Sequence, residues 1–182
     1  MPDSSQRAQF ERVVLPHLDA AYNLARWLTR NDHDAEDVTQ EACIRAFRFF
    51  DSFHGGNSRT WLLTIVRHTC YSWLEKHRAE KSTMVFDEQL HSLGGNDAGG
   101  VSPCATPETL LLQNADLRQL GQCLEALPLE FRETVILREL EGLSYKEISA
   151  ITEVPVGTVM SRLARGRNLL QQKLGGDAKP EA

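Results

Sequence analysis

The segment LSYKEISAITEVPVGTVMSRLARGRNLLQQKL, Leu143 to Leu174, leaves little freedom in how it folds. Ser144 and Glu147 form S-x-x-E just ahead of an apolar pattern, a capping box in which each side chain satisfies an orphan amide of the other's turn. A short helix is therefore expected from about Tyr145 to Thr152, burying Ile148 and Ile151. Pro155 cannot continue that helix but suits the first turn of the next. A second helix is expected from about Val156 to Leu174. At about 100° per residue, Val156, Val159, Leu163, Leu170 and Leu174 share one face. Two helices joined by a tight turn make a helix-turn-helix, whose second helix enters a DNA major groove in proteins that use it so.

The second helix also carries charge of one sign. Between Val154 and Gly176 there are four basic residues (Arg162, Arg165, Arg167, Lys173) and no acid. Thr158, Ser161, Ala164, Arg165 and Asn168 fall roughly opposite the apolar stripe, with Met160, Arg162 and Arg167 on its flanks. A cationic face on a buried stripe suits phosphate contacts and base-edge readout. A basic helix alone reads equally well as solvated surface; the capped helix and turn ahead of it favour the DNA reading.

The stretch LPLEFRETVILRELEGLSYKEISAITEVPVGTVMSRLARGR, Leu127 to Arg167, resembles region 4 of bacterial RNA polymerase sigma factors. Gly157, Thr158, Val159, Ser161, Arg162, Leu163, Arg165 and Arg167 match the family's G-T-V-x-S-R-L-x-R-x-R string. The resemblance implies that this helix reads the −35 promoter element through Thr158, Met160, Ser161, Arg162, Ala164, Arg165 and Arg167. Met160 stands where relatives often carry Lys or Arg, and Glu153 where the turn usually has Gly. A non-glycine residue at positive φ there costs about 1 kcal/mol.

The N-terminal half is helical by periodicity. Phe10, Val13, Val14, Leu18, Ala21, Tyr22, Ala25 and Leu28 recur at helical spacing, with a bend or restart at Pro16. The next helix, capped by Asp32 or Asp34, carries Val38, Ala42, Ile44, Ala46, Phe47 and Phe50 at mainly buried positions. Residues 31–41 hold five acids and no Lys or Arg. That is a well-capped helix start with a solvated face, or an acidic face for a basic partner. The DAEDVTQEA string resembles the second conserved region of the same sigma family. The resemblance implies docking on the clamp helices of core RNA polymerase through Asp34, Glu36, Asp37, Gln40 and Glu41.

A third helix is expected from Ser58, a candidate cap, through RTWLLTIVRHTCYSWLEKHRAEK. Trp61, Leu62, Ile65, Val66, Thr69, Cys70 and Trp73 form its buried side, and the two tryptophans fit the core better than a base-stacking role. Residues 57–81 hold five basic residues against two acids. Cations interleaved with aromatics suit a single strand held by its phosphates. The W-L-x-x-I-x-R pattern here resembles the family's −10 recognition helix. The resemblance implies −10 contacts from Phe53, Asn57, Ser58, Arg59, Arg67, His68, Lys76 and Arg78. The loop before the helix would cup a flipped base, with Phe53 as a wall of the pocket; extrusion costs a few kcal/mol. His68 stands where many relatives have Asn.

The chain has 182 residues and a net charge of −5, unusual for a free-standing DNA binder. A protein that grips DNA only within a larger complex needs no high pI. Residues 81–107 break the helical periodicity, and GGNDAGG with Pro103 and Pro107 reads as an interdomain linker rather than a long surface loop. Cys43, Cys70, Cys104 and Cys123 show no C-x-x-C, so neither a structural metal nor a cofactor is expected. No nucleotide loop or nucleophile motif gives an enzyme reading support, and no catalytic residue is assigned. No signal peptide, membrane span or lipidation motif is visible.

The expectation is an all-α protein of two small helical domains, residues 8–80 and 108–174, with the linker 81–107 between them and a disordered tail at 175–182. The resemblance covers roughly residues 8–174 and is closest to the short extracytoplasmic-function (ECF) sigma factors. It implies a cytoplasmic, non-enzymatic initiation factor that binds core RNA polymerase (the β′ clamp helices and β flap) and promoter DNA. It also implies an anti-sigma factor, commonly membrane-bound, as regulator. Two rivals remain: a stand-alone helix-turn-helix regulator, which would need a dimer and a palindromic site, and a sigma-like decoy that sequesters an anti-sigma factor.

Overall fold

The computed structural model describes residues 4–83 and 107–175; within them every regular element is helical. The N-terminal half holds α1 (Ser4–Val14), α2 (Leu18–Thr29), α3 (Asp32–Arg48) and α4 (Ser58–Thr83). A 3-10 turn at Leu15–His17 separates α1 from α2, with Pro16 in its first turn, as the restart at that proline required. The C-terminal half holds α5 (Pro107–Glu125), α6 (Leu129–Val135), α7 (Tyr145–Thr152) and α8 (Val156–Gly175), with a π turn over Ile136–Leu140. The expected linker begins later than the periodicity suggested: α4 continues through Thr83 and α5 opens on Pro107. The rest of that linker, Cys104 and nearly all of the expected tail lie outside the described residues.

Helices α2, α3 and α4 pack on one another around Ala21, Leu24, Ala25, Leu28, Ala35, Val38, Ala42, Leu62, Leu63 and Val66, all buried. Small residues on α2 and α3 let the axes approach closely. Leu24 and Leu63 are as buried as any residue in this core, although neither lay on the stripes expected from the sequence. Ile44 departs the other way: expected in the core, it is 43% exposed, because the buried face of α3 is a narrow seam of Ala35, Val38, Ala42 and Ala46. The α3 cap also shifts by one. Asn31, not Asp32 or Asp34, accepts the Asp34 amide at 3.0 Å. Asp32 pairs instead with Arg26.

The C-terminal half is built on the crossing of α6 and α8, with α7 laid across α8. Val159 and Leu163 are buried as expected. Val156, expected on the same stripe, is 37% exposed, since the first turn of α8 projects beyond the crossing, and Leu174 is exposed at the far end. Arg132 is a buried clasp: its Nη1 donates to the carbonyls of Glu125 (2.8 Å) and Leu127 (3.0 Å), satisfying the end of α5. Burial and the nearby Arg30 charge pull its pKa down to about 10.

The two halves are not held apart. One continuous apolar core runs from Val14 to Leu163, with α4 packed on α7 and α2 on α6. Sequence patterning assigned each half its own buried face; it did not show that the halves meet.

Candidate nucleic-acid interface

The helix-turn-helix begins with a complete capping box. The Glu147 amide donates to Ser144 Oγ at 3.3 Å, and the Ser144 amide donates back to Glu147 Oε2 at 2.7 Å. That backbone bond, reinforced by the Ser144 hydroxyl, holds the Glu147 carboxyl below its ordinary value. Helix α7 ends at Glu153, which adopts a left-handed backbone at φ 58°, ψ 35° without being glycine. The Ser149 hydroxyl donates across the turn to the Val154 carbonyl, fixing the chain before Pro155. The amides of Thr158 and Val159 then donate to the Pro155 carbonyl at 2.9 and 3.1 Å.

Helix α8 presents Met160, Ser161, Ala164 and Arg165 to solvent, with Thr158 half-buried beside them. The three arginines differ in availability. Arg162 turns inward to Glu130 at 3.1 Å and is mostly covered. Arg167 binds Glu139, with Nε 2.9 Å from Oε1. Arg165 has no acidic partner among the described residues. The sequence placed all three on one cationic surface; the structure leaves Arg165 as the open cation at its centre.

The second group of expected contacts lies on α4 and the loop before it. Asn57 caps α4, accepting the Thr60 amide at 3.1 Å, so the cap is one residue earlier than Ser58. Ser58 Oγ sits 3.0 Å from His17 Nε2, and burial together with the Arg59 charge keeps the His17 pKa below its ordinary value. Phe53 packs 4.9 Å from the Trp61 ring and stacks toward Phe50, forming one wall of a loop that turns through Gly55 and Gly56 at φ 90° and 100°. Trp61 and Trp73 pack against the core.

The cations and amides of this face meet the C-terminal half. Asn57 donates to Glu147 Oε1 at 2.7 Å, Arg59 to Glu141 Oε2 at 2.6 Å, and His68 Nε2 lies 3.2 Å from Glu153. Arg67 pairs with Glu133, which is fully buried and also accepts the Tyr71 hydroxyl at 3.0 Å. The Arg67 guanidinium lies 4.4 Å from the Tyr71 ring centre. Burial pushes the Glu133 carboxyl above its ordinary value; the Arg67 charge and the Tyr71 hydroxyl offset this only in part. Burial, and then Glu133, pushes Tyr71 up to about 12. Lys76 and Arg78 stay exposed, with no ion pair among the described residues.

Glu133, Glu141 and Tyr71 were not among the residues singled out from sequence. The available signal was the polar pair Arg132–Glu133 inside the apolar run FRETVIL, a position where an unpaired charge would be expensive.

On α3, Glu36, Asp37, Gln40 and Glu41 are exposed and Asp34 is half-buried. Glu41 holds Arg45 at 2.8 Å. At about 100° per residue, exposed Ile44 falls within this acidic arc, with exposed Phe49 just beyond the helix. The face is thus acidic with an apolar centre, a feature the periodicity had hidden by assigning Ile44 inward.

Comparison with known proteins agrees with the two groups of elements. The Sigma-70 region 2 model matches residues 13–80, and the Sigma-70, region 4 model matches residues 117–170. The chain is 39% identical over 144 residues to the ECF RNA polymerase sigma-E factor of Escherichia coli strain K12, covering 78% of this chain and 74% of that protein. It is 34% identical over 172 residues to the ECF RNA polymerase sigma factor SigE of Mycolicibacterium smegmatis, covering 94% of this chain and 64% of that protein. Among solved structures, the sigma factor RpoE in complex with the anti-sigma factor NepR from Bartonella quintana superposes with a TM-score of 0.71 at 31% identity, covering 93% of this chain and 98% of that one. CnrH, solved with the cytosolic domain of CnrY, shares the fold at a TM-score of 0.64 and 21% identity. With both conserved regions present in order, and with relatives matched through most of their length, the chain belongs to the ECF group of sigma-70 RNA polymerase sigma factors.

Proposed function

We propose that the chain directs core RNA polymerase to promoters by dividing three tasks among three surfaces. The acidic face of α3 (Asp34, Glu36, Asp37, Gln40, Glu41), with Ile44 and Phe49 as apolar anchors, docks on the basic β′ clamp helices; opposite charge speeds and orients encounter, and the apolar groups add burial. The loop before α4 and the helix itself (Phe53, Asn57, Ser58, Arg59, Arg67, His68, Lys76, Arg78) open and hold the −10 strand. The outer face of α8 (Thr158, Met160, Ser161, Ala164, Arg165) reads the −35 element, while Arg162 and Arg167 brace it through Glu130 and Glu139. RNA synthesis itself belongs to the polymerase.

The observation that carries this reading is the capped α7–α8 unit presenting Arg165 without an acidic partner at the centre of an exposed helix face, in a chain whose net charge is −5. Such a chain is poorly suited to hold DNA unaided. An anti-sigma factor is proposed as its regulator, as RpoE of Bartonella quintana is bound by NepR. The cytoplasm is its proposed location; no described helix is long and apolar enough to cross a membrane. Run-off transcription with purified core polymerase on genomic promoter fragments tests the proposal: discrete start sites appear only when the chain is added. Absence of any directed start, or tight binding of a palindromic site without polymerase, overturns it.

A further inference from the structure

We propose that an apolar line on the exposed face of α8 (Val156, Met160 and Ala164) reads thymine methyl groups in the major groove of the −35 element. The proposal rests on the assignment of that face to the −35 element and names the base chemistry it selects.

The three residues follow one another at four-residue spacing. At about 100° per residue each is turned only about 40° from the last, so they form one line along the first turns of the helix. None of them is covered. Val156 is 37% exposed, Met160 is 52% exposed, and Ala164 is exposed one turn further on. Nothing lies within 4 Å of where a Cβ would stand on Gly157, so the surface beside the line is open as well. Single apolar side chains on a solvated surface need no explanation, but a contiguous line of them marks a contact.

The surroundings of the line select its partner. Ser161 and Arg165 form a parallel polar line, both exposed, and Arg165 has no acidic partner among the described residues. The Ser161 hydroxyl donates to the Thr158 carbonyl at 3.0 Å, which leaves its oxygen to act outward as an acceptor. No acid lies anywhere on α8, so a polyanion meets no repulsion from the helix itself. An apolar line beside an uncompensated guanidinium fits a partner that carries apolar groups and negative charge side by side. The major groove does so: thymine presents its C5 methyl between the phosphate walls, and apolar side chains contact that methyl. The early turns of the second helix are the ones that reach base edges in a helix-turn-helix, and the line occupies those turns. Met160 and Ala164 stand about 6 Å apart along the axis, close to two base-pair steps of about 3.4 Å, so the line spans neighbouring pairs. Arg165, on the parallel line, suits the two acceptors of a guanine edge. The element expected has A·T pairs read by their methyls next to a G·C pair read by Arg165.

The test is run-off transcription by the full chain with core polymerase, on a promoter fragment that the unmodified chain transcribes. Each thymine of the −35 element, on either strand, is replaced singly by uracil, which deletes the methyl and keeps the base pair. The expected result is a loss of about fourfold at one or more positions, the value of one buried methyl group. Met160→Ala should abolish the uracil penalty at one such position, Met160→Leu should retain it, and Arg165→Ala should retain it while lowering transcription throughout. Circular dichroism checks that the helices of each variant are intact. An element without A·T pairs, uracil templates transcribed as well as thymine ones, or a penalty unchanged in Met160→Ala overturns the proposal. So does a loss in Met160→Ala that leaves every uracil penalty in place, which would set Met160 against a protein surface. Failure of the promoter-directing role is a separate outcome: the unmodified chain would then direct no start on thymine templates either.

Discussion

Gly166 on α8 lies directly against Val135 on α6: a Cβ on Gly166 would lie 2.7 Å from Val135 Cγ2. Val135 is β-branched and buried, so it cannot swing aside. Gly166→Ala should therefore shift the helix that carries the −35 residues. Overpacking costs about 1–3 kcal/mol, and improved helix propensity returns about 1. A net loss of roughly 1 kcal/mol is expected in urea unfolding. Gly157→Ala, where nothing lies within 4 Å, is the matched control and should be neutral or mildly stabilising. Equal behaviour of the two variants would remove the case for a tight α6–α8 contact.

The capping box supports a prediction with a pH sign. Ser144→Ala should cost about 1 kcal/mol, because the Glu147 amide loses its acceptor. Hydrogen bonds from the Ser144 backbone and side chain depress the Glu147 carboxyl in the folded state. Its contribution is thus present above the ordinary carboxylate value near 4.5 and is lost as pH falls through the lower folded value. The stability gap between the native chain and Glu147→Gln should be largest near neutrality and shrink on acidification. Thermal unfolding across that range measures it; a gap that widens toward acid contradicts the assignment.

Local signals were legible in the sequence because local chemistry decides them. Ser144, Glu147 and Pro155 specify one cap and one turn, and Pro16 specifies a restart, whatever surrounds them. Caps with several neighbouring candidates were less determined: Asn31 and Asn57 took roles equally open to Asp32, Asp34 and Ser58. Periodicity located helices well but misjudged Ile44, Val156 and Leu24, since the width of a buried face depends on the partner helix. The pairing of Arg67 with Glu133 was illegible for a stronger reason. Residues 66 positions apart are brought together by the meeting of the two halves, and nothing in either helix's own pattern encodes that meeting.

Glu153 holds a left-handed backbone that glycine adopts at no steric cost. Glu153→Gly and Glu153→Ala both delete the exposed side-chain contact with His68, so comparison of the two isolates the backbone. The glycine variant should be the more stable by about 1 kcal/mol in chemical denaturation. Equal stabilities would mean that the turn relaxes when the side chain is shortened.

Cys70 is buried within α4, and burial, then the Glu133 charge, pushes its thiol up to about 12. The reactive thiolate is thus nearly absent near neutrality. Alkylation of the folded chain with iodoacetamide at about pH 8 should label the half-buried Cys43 and Cys123 well before Cys70. Denaturant should abolish the difference. Rapid labelling of Cys70 in the native chain would show that the core around α4 opens more readily than its packing indicates.

Arg165 stands alone among the α8 arginines in having no acidic partner among the described residues, and this asymmetry predicts unequal consequences of substitution. Arg165→Ala removes an exposed donor without releasing a structural contact, so folding and core-polymerase binding should be retained. If Arg165 makes one bidentate base contact, about 1–3 kcal/mol of discrimination is lost, or roughly 5- to 150-fold in −35-dependent initiation. Arg162→Ala frees Glu130 at the half-covered base of α8. It should lower stability and transcription together, with a smaller loss of sequence preference. Run-off transcription on promoters with intact and scrambled −35 elements, alongside a core-binding assay, separates the two. Loss of core binding in Arg165→Ala, or undiminished preference for the intact −35 element, would move the reading surface away from this face of α8.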